Sequence, residues 1–331
     1  MIDELPTTEH GLVLARDLRA AGREAELYAA VRAGALERVR RGAYRVPGTA
    51  EATMPVAKVA AIRYRAAVQA AALKLAKPVF TGHSAAALAG LPIVGPWPSH
   101  VVVMSRDGLG SRRPGVVSVA RPASLEVYES DGCRTTSIEF TLIQLAKQAP
   151  LAAALVAADA ALHIPRRGDR STPLTTLVAL RAEHERLGRY PGCLRVDAVL
   201  DRATTDSDSP LETMSRLVLE EFGFPIPVLQ HRVWLPELQR NADLDFFWPE
   251  YEIAAEADGD GKYLGAGGVA ASATSVVREK EREDAIRRLV RGFARWDWND
   301  MWRKEPVRAR LSSAGLPMVR TPIRLIALGS K

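Results

Sequence analysis

Between Glu237 and Asp260 the chain holds eight acidic residues and a single basic one, Arg240. The whole chain carries a formal net charge of +6, so this local gathering of carboxylates needs a chemical reason. Residues 242–248 (ADLDFFW) and 251–259 (YEIAAEADG) read as strands. Strand alternation sets Asp243 and Asp245 on one face, and Glu252, Glu256 and Asp258 on another. Carboxylates aimed at one point from neighbouring strands repel unless a cation lies between them. Oxygen donors in that number suit Mg2+ or Mn2+. Plainer roles are open for each residue. Asp258-Gly259 also fits a strand-ending turn, and Asp243 also fits an ion pair with Arg240 or Arg282.

A second chemistry is written in residues 36–46, LERVRRGAYRV. Apolar and basic residues alternate around Gly42, as in a short two-stranded hairpin. Arg38, Arg40, Arg41 and Arg45 stand against one acid, Glu37. A one-signed face of this kind suits phosphate, because each neutralised phosphate releases counterions. The helix expected over Glu24–Arg32 would lie beside it and end on Arg32, with Gly34 closing it. Helix, glycine turn, helix and basic hairpin is the outline of a winged helix-turn-helix. His83-Ser84 offers no comparable chemistry. No third catalytic group stands near, and Ser84 reads as an N-cap for an alanine-rich helix.

The elements around these groups divide the chain. Residues 1–50 read as the winged helix. Residues 51–165 read as an α+β unit: a long helix from Val56 to Leu75, an alanine helix ending at Gly90, strands at 101–104 and 116–119 joined by a basic loop, and a helical stretch from Leu142 broken at Pro150. Residues 166–206 read as a helical connector opened by Arg166-Arg167-Gly168-Asp169-Arg170. The polar run Thr204–Ser209 is the clearest boundary. Residues 207–310 hold the acids, and 311–331 read as a tail. Ser209-Pro210-Leu211-Glu212 opens a helix, where Glu212 also completes a Ser-x-x-Glu capping box with Pro at the first helical position. After the acidic strands comes a helix from Ser275 to Arg291 on which Lys280, Asp284, Arg287 and Arg291 share a face. Lys280 also fits a solvated helix face. Trp296, Trp298 and Trp302 read as core and rim.

Composition bounds the rest. With 331 residues, 47% hydrophobic and 25% charged, the chain is expected to be globular and multidomain. Two cysteines, Cys133 and Cys193, exclude a disulfide scaffold and a four-cysteine zinc site. No apolar run reaches the roughly 18 residues of a membrane span. The opening MIDELPTTEHG does not read as a signal peptide, so a cytoplasmic protein is expected.

The order helix, strand, strand, helix, strand, with acids on the central strands, is the layout of a restriction-endonuclease-like core. Residues 206–302 resemble the PD-(D/E)XK nuclease superfamily on the side of the very-short-patch-repair (Vsr) endonucleases. The matching segments are SPLETMSRLVLEEFGFPIPVLQ (209–230), ADLDFFWPEYEIAAEADGDGKY (242–263) and REKEREDAIRRL (278–289). Residues 4–163 resemble AbiEi-type antitoxins of type IV toxin–antitoxin systems, through GALERVRRGAYRVPG (34–48), FTGHSAAALAGLP (80–92) and DAALH (159–163). The first resemblance implies that Asp245 and Glu256 ligate Mg2+ or Mn2+ and that Glu212 is the acid of the first helix. The motif lysine position is held by Asp258, so Lys262 or Lys280 would have to supply the positive charge. The fold expected is an α/β multidomain chain: winged helix-turn-helix, α+β middle domain and restriction-endonuclease-like core. The expected function is a DNA-binding regulator or antitoxin, with a Mg2+-dependent DNA endonuclease as the alternative. The expected partners are double-stranded DNA and a nucleotidyltransferase-like toxin, with no membrane.

Overall fold

The computed structural model describes residues 5–105, 108–122, 124–165, 172–259 and 273–326. Lys262 and the basic run at 166–170 lie outside the described residues. The chain is a mixed α/β protein that divides into two compact units. Unit 1 comprises Met1–Ala149 with Leu174–Leu200, and unit 2 comprises Pro150–Pro173 with Asp201–Lys331. Among the described residues no helix is long and apolar enough to cross a membrane.

Unit 1 opens with β1 (Leu12–Leu14), α1 (Ala15–Ala20), α2 (Glu24–Arg32), β2 (Glu37–Arg40) and β3 (Ala43–Arg45). The sequence pattern puts Leu12 at the start of a helix. In the structure Leu12, Val13 and Leu14 are all buried and pair antiparallel with Arg45, Tyr44 and Ala43. Three consecutive buried apolar residues suit a strand covered on both faces better than one stripe of a helix. The sheet order is β1-β3-β2, which makes the hairpin part of a three-stranded sheet rather than a free ribbon. Gly42 turns the hairpin at φ +73°, a conformation that costs glycine nothing.

The rest of unit 1 runs α3 (Val56–Ala72), α4 (Gly82–Leu88), β4 (Val101–Met104), β5 (Ser111–Arg113), β6 (Val116–Val119), β7 (Tyr128–Ser130), β8 (Cys133–Thr135) and α5 (Ile138–Gln148). After α6 (Leu151–Leu162), which belongs to unit 2, unit 1 resumes with α7 (Leu177–Arg186) and α8 (Cys193–Leu200). β4 and β6 pair in parallel, and β5 lies antiparallel on β6, so the expected basic loop is partly strand. The boundary expected at residue 50 is not one of packing. Leu12, Leu14 and Ala43 of the wing share a core cluster with Ala66 and Ala70 of α3. Ser84 does not cap α4. It is buried inside the helix, takes the Val102 N–H at 2.8 Å and shares a 3.0 Å hydrogen bond with the Tyr64 hydroxyl.

Unit 2 is built on a sheet of order β12-β11-β10-β9. Its elements are α9 (Pro210–Phe222), β9 (Val228–Leu235), β10 (Arg240–Trp248), β11 (Ile253–Asp258), α10 (Ala273–Leu289), β12 (Gly292–Asp297), α11 (Trp298–Arg303) and α12 (Glu305–Ser313). The hairpins are antiparallel, and β11 and β12 run parallel across the α10 crossover. The sequence pattern misses β9, whose exposed Val228, Arg232 and Trp234 alternate with inward groups at an open edge.

The core of unit 2 is aromatic. Phe246 and Trp296 stack at 5.5 Å, and both buried indoles are satisfied. Trp296 Nε1 donates to Ser215 Oγ and Trp248 Nε1 to the Pro225 carbonyl.

The chain passes into unit 2 at Asp201, close to the expected cut at Thr204–Ser209, but α6, from well before that cut, is recruited to α9 of the same unit. Asp159 on α6 is 1% exposed and accepts hydrogen bonds from Thr204 N, Thr213 Oγ1 and Arg216 Nη1. The expected tail at 311–331 starts inside α12, and its next stretch is docked. Val319 N and Arg320 N donate to the Gly223 carbonyl, and Leu325 N and Ile326 N donate to the Glu221 carboxylate.

Candidate functional site

The basic hairpin and the two short helices of unit 1 enclose a cleft of about 460 Å3. Arg16 and Arg19 enter it from α1, Tyr28 from α2, and Arg38 and Arg41 from the hairpin. Lys74 comes from just beyond α3, over a floor that includes Leu14 and Leu27. No acidic side chain lines it. Two acids touch its rim: Glu24 pairs with Arg19 at 2.6 Å and Asp17 lies 3.3 Å from Arg16. Among the described residues Arg38 and Arg41 have no acidic partner. Lys74 donates to the Arg41 carbonyl, and its ammonium is held below the ordinary lysine value, by burial first and then by Arg40, Arg16, Arg41 and Arg38. A lysine whose charge is opposed by four guanidiniums marks a concentrated positive field, which an anion would relieve.

The expected DNA contacts therefore separate. Arg38 and Arg41 are exposed on the cleft. Arg32 is exposed at the end of α2, outside the cleft lining. Arg40 turns inward, donates to the Gly115 carbonyl at 3.1 Å and is pushed down by burial. Arg45 is a correction to the expected one-signed face. Its guanidinium is buried between Glu37 and Glu51, both at 2.6 Å, and serves as a strut. Neutralised and 7% exposed, it has nothing left to offer a phosphate. The sequence reading missed Arg16, Arg19 and Lys74. The first two carry a weak signal, a three-residue spacing on one helix face, and Lys74 carries none.

In unit 2 the four expected acids are held by protein partners. Ser209 caps α9 by accepting the Glu212 N–H, and the Glu212 carboxylate takes the Ser209 hydroxyl at 2.8 Å and the Asp208 N–H at 2.9 Å. Glu212 thus braces the start of α9, though through the Asp208 N–H rather than the Ser209 N–H that a capping box would use. The same carboxylate also receives Gln230 Nε2 at 2.9 Å, and Gln230 Nε2 lies 3.2 Å from Asp245 Oδ1. Gln230 sits at φ +49° within β9, a left-handed kink that aims its amide between two acids. Burial pushes the Glu212 carboxyl up from its ordinary value, against these hydrogen bonds. Asp245 Oδ2 accepts the Ala257 N–H at 2.8 Å, which ties β10 to β11.

Glu256 is 1% exposed and lies 2.6 Å from Arg282 Nη2 of α10. The contact is an ion pair outside hydrogen-bond alignment, and neither oxygen of this carboxylate has an aligned donor among the described residues. Asp258 pairs with Arg295 of β12. Asp243 pairs with Arg232 at 2.9 Å, while Arg282 donates to the Asp243 carbonyl. Lys280 is exposed and makes no ion pair among the described residues. The positive charge beside Glu256 and Asp258 thus comes from Arg282 and Arg295, neither of which the motif spacing had singled out for that place. Among the described residues no group of three or more His, Cys, Asp or Glu side chains is arranged to hold a metal ion.

Residues 3–47 match the family model described as a transcriptional regulator, AbiEi antitoxin. The match ends after β3, so it covers the two short helices and the three-stranded sheet with its cleft-lining hairpin and stops before α3. No curated protein and no solved structure matches the chain. Residues 3–47 are thus similar to an AbiEi antitoxin/transcriptional-regulator domain, and unit 2 lies outside that match.

Proposed function

We propose that the protein is a DNA-binding regulator of the AbiEi antitoxin kind, with the cleft of unit 1 as its phosphate-contacting surface. The observation that carries this reading is the convergence of Arg16, Arg19, Arg38, Arg41 and Lys74 on one acid-free cleft between the second helix and the wing. In a winged helix-turn-helix those two elements face the duplex together, the helix toward the major groove and the wing along the backbone. Phosphate contacts would supply affinity and register. The exposed face of α2 offers Tyr28 and Arg32 for base edges, a modest set for sequence readout. As an antitoxin it would act on the operator of its own operon, beside a nucleotidyltransferase-like toxin. The test is a gel shift with DNA from upstream of its own gene: the wild type retards the duplex at a lower protein concentration than Arg38→Ala/Arg41→Ala does.

A second reading, a Mg2+- or Mn2+-dependent DNA endonuclease, is favoured by a specific observation in unit 2. Asp245 and Glu256 stand on adjacent strands of a helix–three strands–helix–strand core, and the Glu256 carboxylate is buried without an aligned donor. A cation would satisfy it. Against this, Arg282 already sits on Glu256, Arg295 sits on Asp258, and the described acids do not assemble as a ligand set. Turnover would require Arg282 to withdraw. Incubating supercoiled plasmid with the protein and Mg2+ or Mn2+, beside Asp245→Ala, tests it. Nicking that depends on Asp245 supports the enzyme, and intact plasmid with both proteins supports the regulator.

A further inference from the structure

We infer that unit 2 carries its own phosphate-binding surface, a four-arginine pocket at the free edge of β12, which holds the sugar-phosphate backbone of DNA. It uses none of the residues of the unit 1 cleft, so either site can fail alone.

The pocket measures about 650 Å3. Arg287 comes from the last turn of α10, Arg291 from just beyond it, Arg295 from β12 and Arg310 from α12, with the Ser313 hydroxyl as a fifth donor group. The wall contains no acidic residue. It lies along β12, the outermost strand of its sheet, where no further strand covers the edge among the described residues. Gly292 sets the floor: a Cβ there would stand 2.3 Å from the Ala314 carbonyl oxygen, so only glycine lets the end of α12 approach β12 this closely.

Three of the four guanidiniums are held from behind. Glu283 accepts from Arg287 Nε at 2.8 Å and from Arg295 Nη1 at 2.6 Å. Asp258 also pairs with Arg295, and Asp300 lies 2.7 Å from Arg310 Nη2. Arg287 further rests over the Phe293 ring at 4.5 Å. Glu279 lies 3.8 Å from Arg295 but is shared with Arg282 at 3.2 Å, and Asp300 is shared with Arg303 at 2.8 Å. Arg295 faces an acid on each of its three nitrogens and braces the wall, whereas Arg287, Arg310 and Arg291 keep N–H donors for a ligand. Fixing them beforehand lowers the entropy lost when an anion binds. Arg291 is exposed and has no acidic partner among the described residues, so the wall keeps a net positive charge.

The chemistry of the wall selects phosphate oxygens, which planar guanidiniums grip bidentately. One phosphate satisfies about two such forks. Three of them, Arg287, Arg291 and Arg310, keep donors along this strand edge and match successive phosphates of a backbone rather than a single free anion.

The test uses the full-length protein and a fluorescein-labelled duplex, titrated by anisotropy over a range of salt. The variants are Arg291→Glu, Arg291→Lys and Arg38→Ala/Arg41→Ala. Because Arg291 makes no ion pair among the described residues, its replacement is expected to leave the melting temperature unchanged. Arg291→Glu is expected to weaken binding roughly tenfold at low salt and to lower the salt slope by about 0.9, one phosphate, while Arg291→Lys retains most of both. Weakening by Arg291→Glu with no effect of Arg38→Ala/Arg41→Ala leaves this pocket standing and removes the reading of the unit 1 cleft. The converse result overturns the pocket alone, and a wild type that does not bind DNA overturns both. A parallel arm measures the melting temperature in inorganic phosphate at constant ionic strength. A stabilisation lost in Arg291→Glu, with DNA affinity unchanged, would assign the pocket to free phosphate and overturn the backbone assignment.

Discussion

Arg282 reaches from α10 to Glu256 at the centre of β11, bringing Nη2 to 2.6 Å from a carboxylate that is 1% exposed. A buried acid is costly unless paired, and the guanidinium fills the place where the sequence invites a metal ion. Removing one partner of a buried pair leaves the other charge uncompensated. Arg282→Ala should therefore cost about 3–5 kcal/mol in denaturant unfolding of unit 2. Mn2+ should then raise the melting temperature of Arg282→Ala more than that of the wild type, because a cation can take the vacated position. Equal responses of the two proteins would contradict a cation-accepting Glu256.

Gln230 links Glu212 to Asp245 through one amide nitrogen. Gln230→Leu keeps the volume but withdraws the donor from two carboxylates, an expected loss of about 1–3 kcal/mol. Gln230→Gly relieves the left-handed backbone but loses the same donor, so it should not be more stable than the wild type. Unfolding midpoints of the three proteins check this, and a stabilised Gln230→Gly would show that the kink, not the amide, is what the position costs.

The Arg45 strut predicts an acid sensitivity of unit 1. Glu51 is held down to about 2, first by its hydrogen bond to Arg45 and also by the Gly48 N–H and the nearby charges of Arg45 and Arg63. A carboxyl depressed in the folded state contributes stability above its unfolded value and loses it as the pH falls through the folded one. Glu51→Gln should thus be less stable than the wild type at neutral pH, and the two should converge as the pH falls from the ordinary glutamate range toward 2. A gap in melting temperature that stays constant over that window would contradict the assignment.

Gly223 ends α9 at φ +76°, and a Cβ there would stand 2.1 Å from the Arg320 carbonyl oxygen. Gly223→Ala should cost more than the roughly 1 kcal/mol of a strained positive φ alone, because the docked segment at 319–326 must shift as well. Limited proteolysis should cut this segment in the variant and spare it in the wild type. Equal cleavage would show that the segment is not held at Gly223.

Local patterns made much of this legible. The hairpin at 36–46, α2 with its glycine stop, the Ser209-Pro210 start of α9 and the acidic strands all follow from spacing and turn chemistry within a few residues. The errors come from long-range packing. Leu12–Leu14 joins a sheet whose other strands lie some thirty residues on, so no local window reports its state. Arg45 looks like its exposed neighbours until Glu51 folds back over it. Asp159 and Arg216 recruit α6 to unit 2 across about fifty residues, against a polar run that reads as a boundary. In the carboxylate cluster the acids were readable by alternation, but Arg282, Arg295 and Gln230 become their partners only through the crossover helix and a backbone kink.

The central claim is that the cleft of unit 1 neutralises DNA phosphates, and the salt dependence of duplex affinity measures it most directly. Each neutralised phosphate contributes about −0.9 to the slope of log affinity against log salt. Arg38→Ala/Arg41→Ala should bind more weakly and lower the magnitude of the slope by about 1.8, across sequences alike. A double variant whose affinity and slope equal those of the wild type would contradict the account.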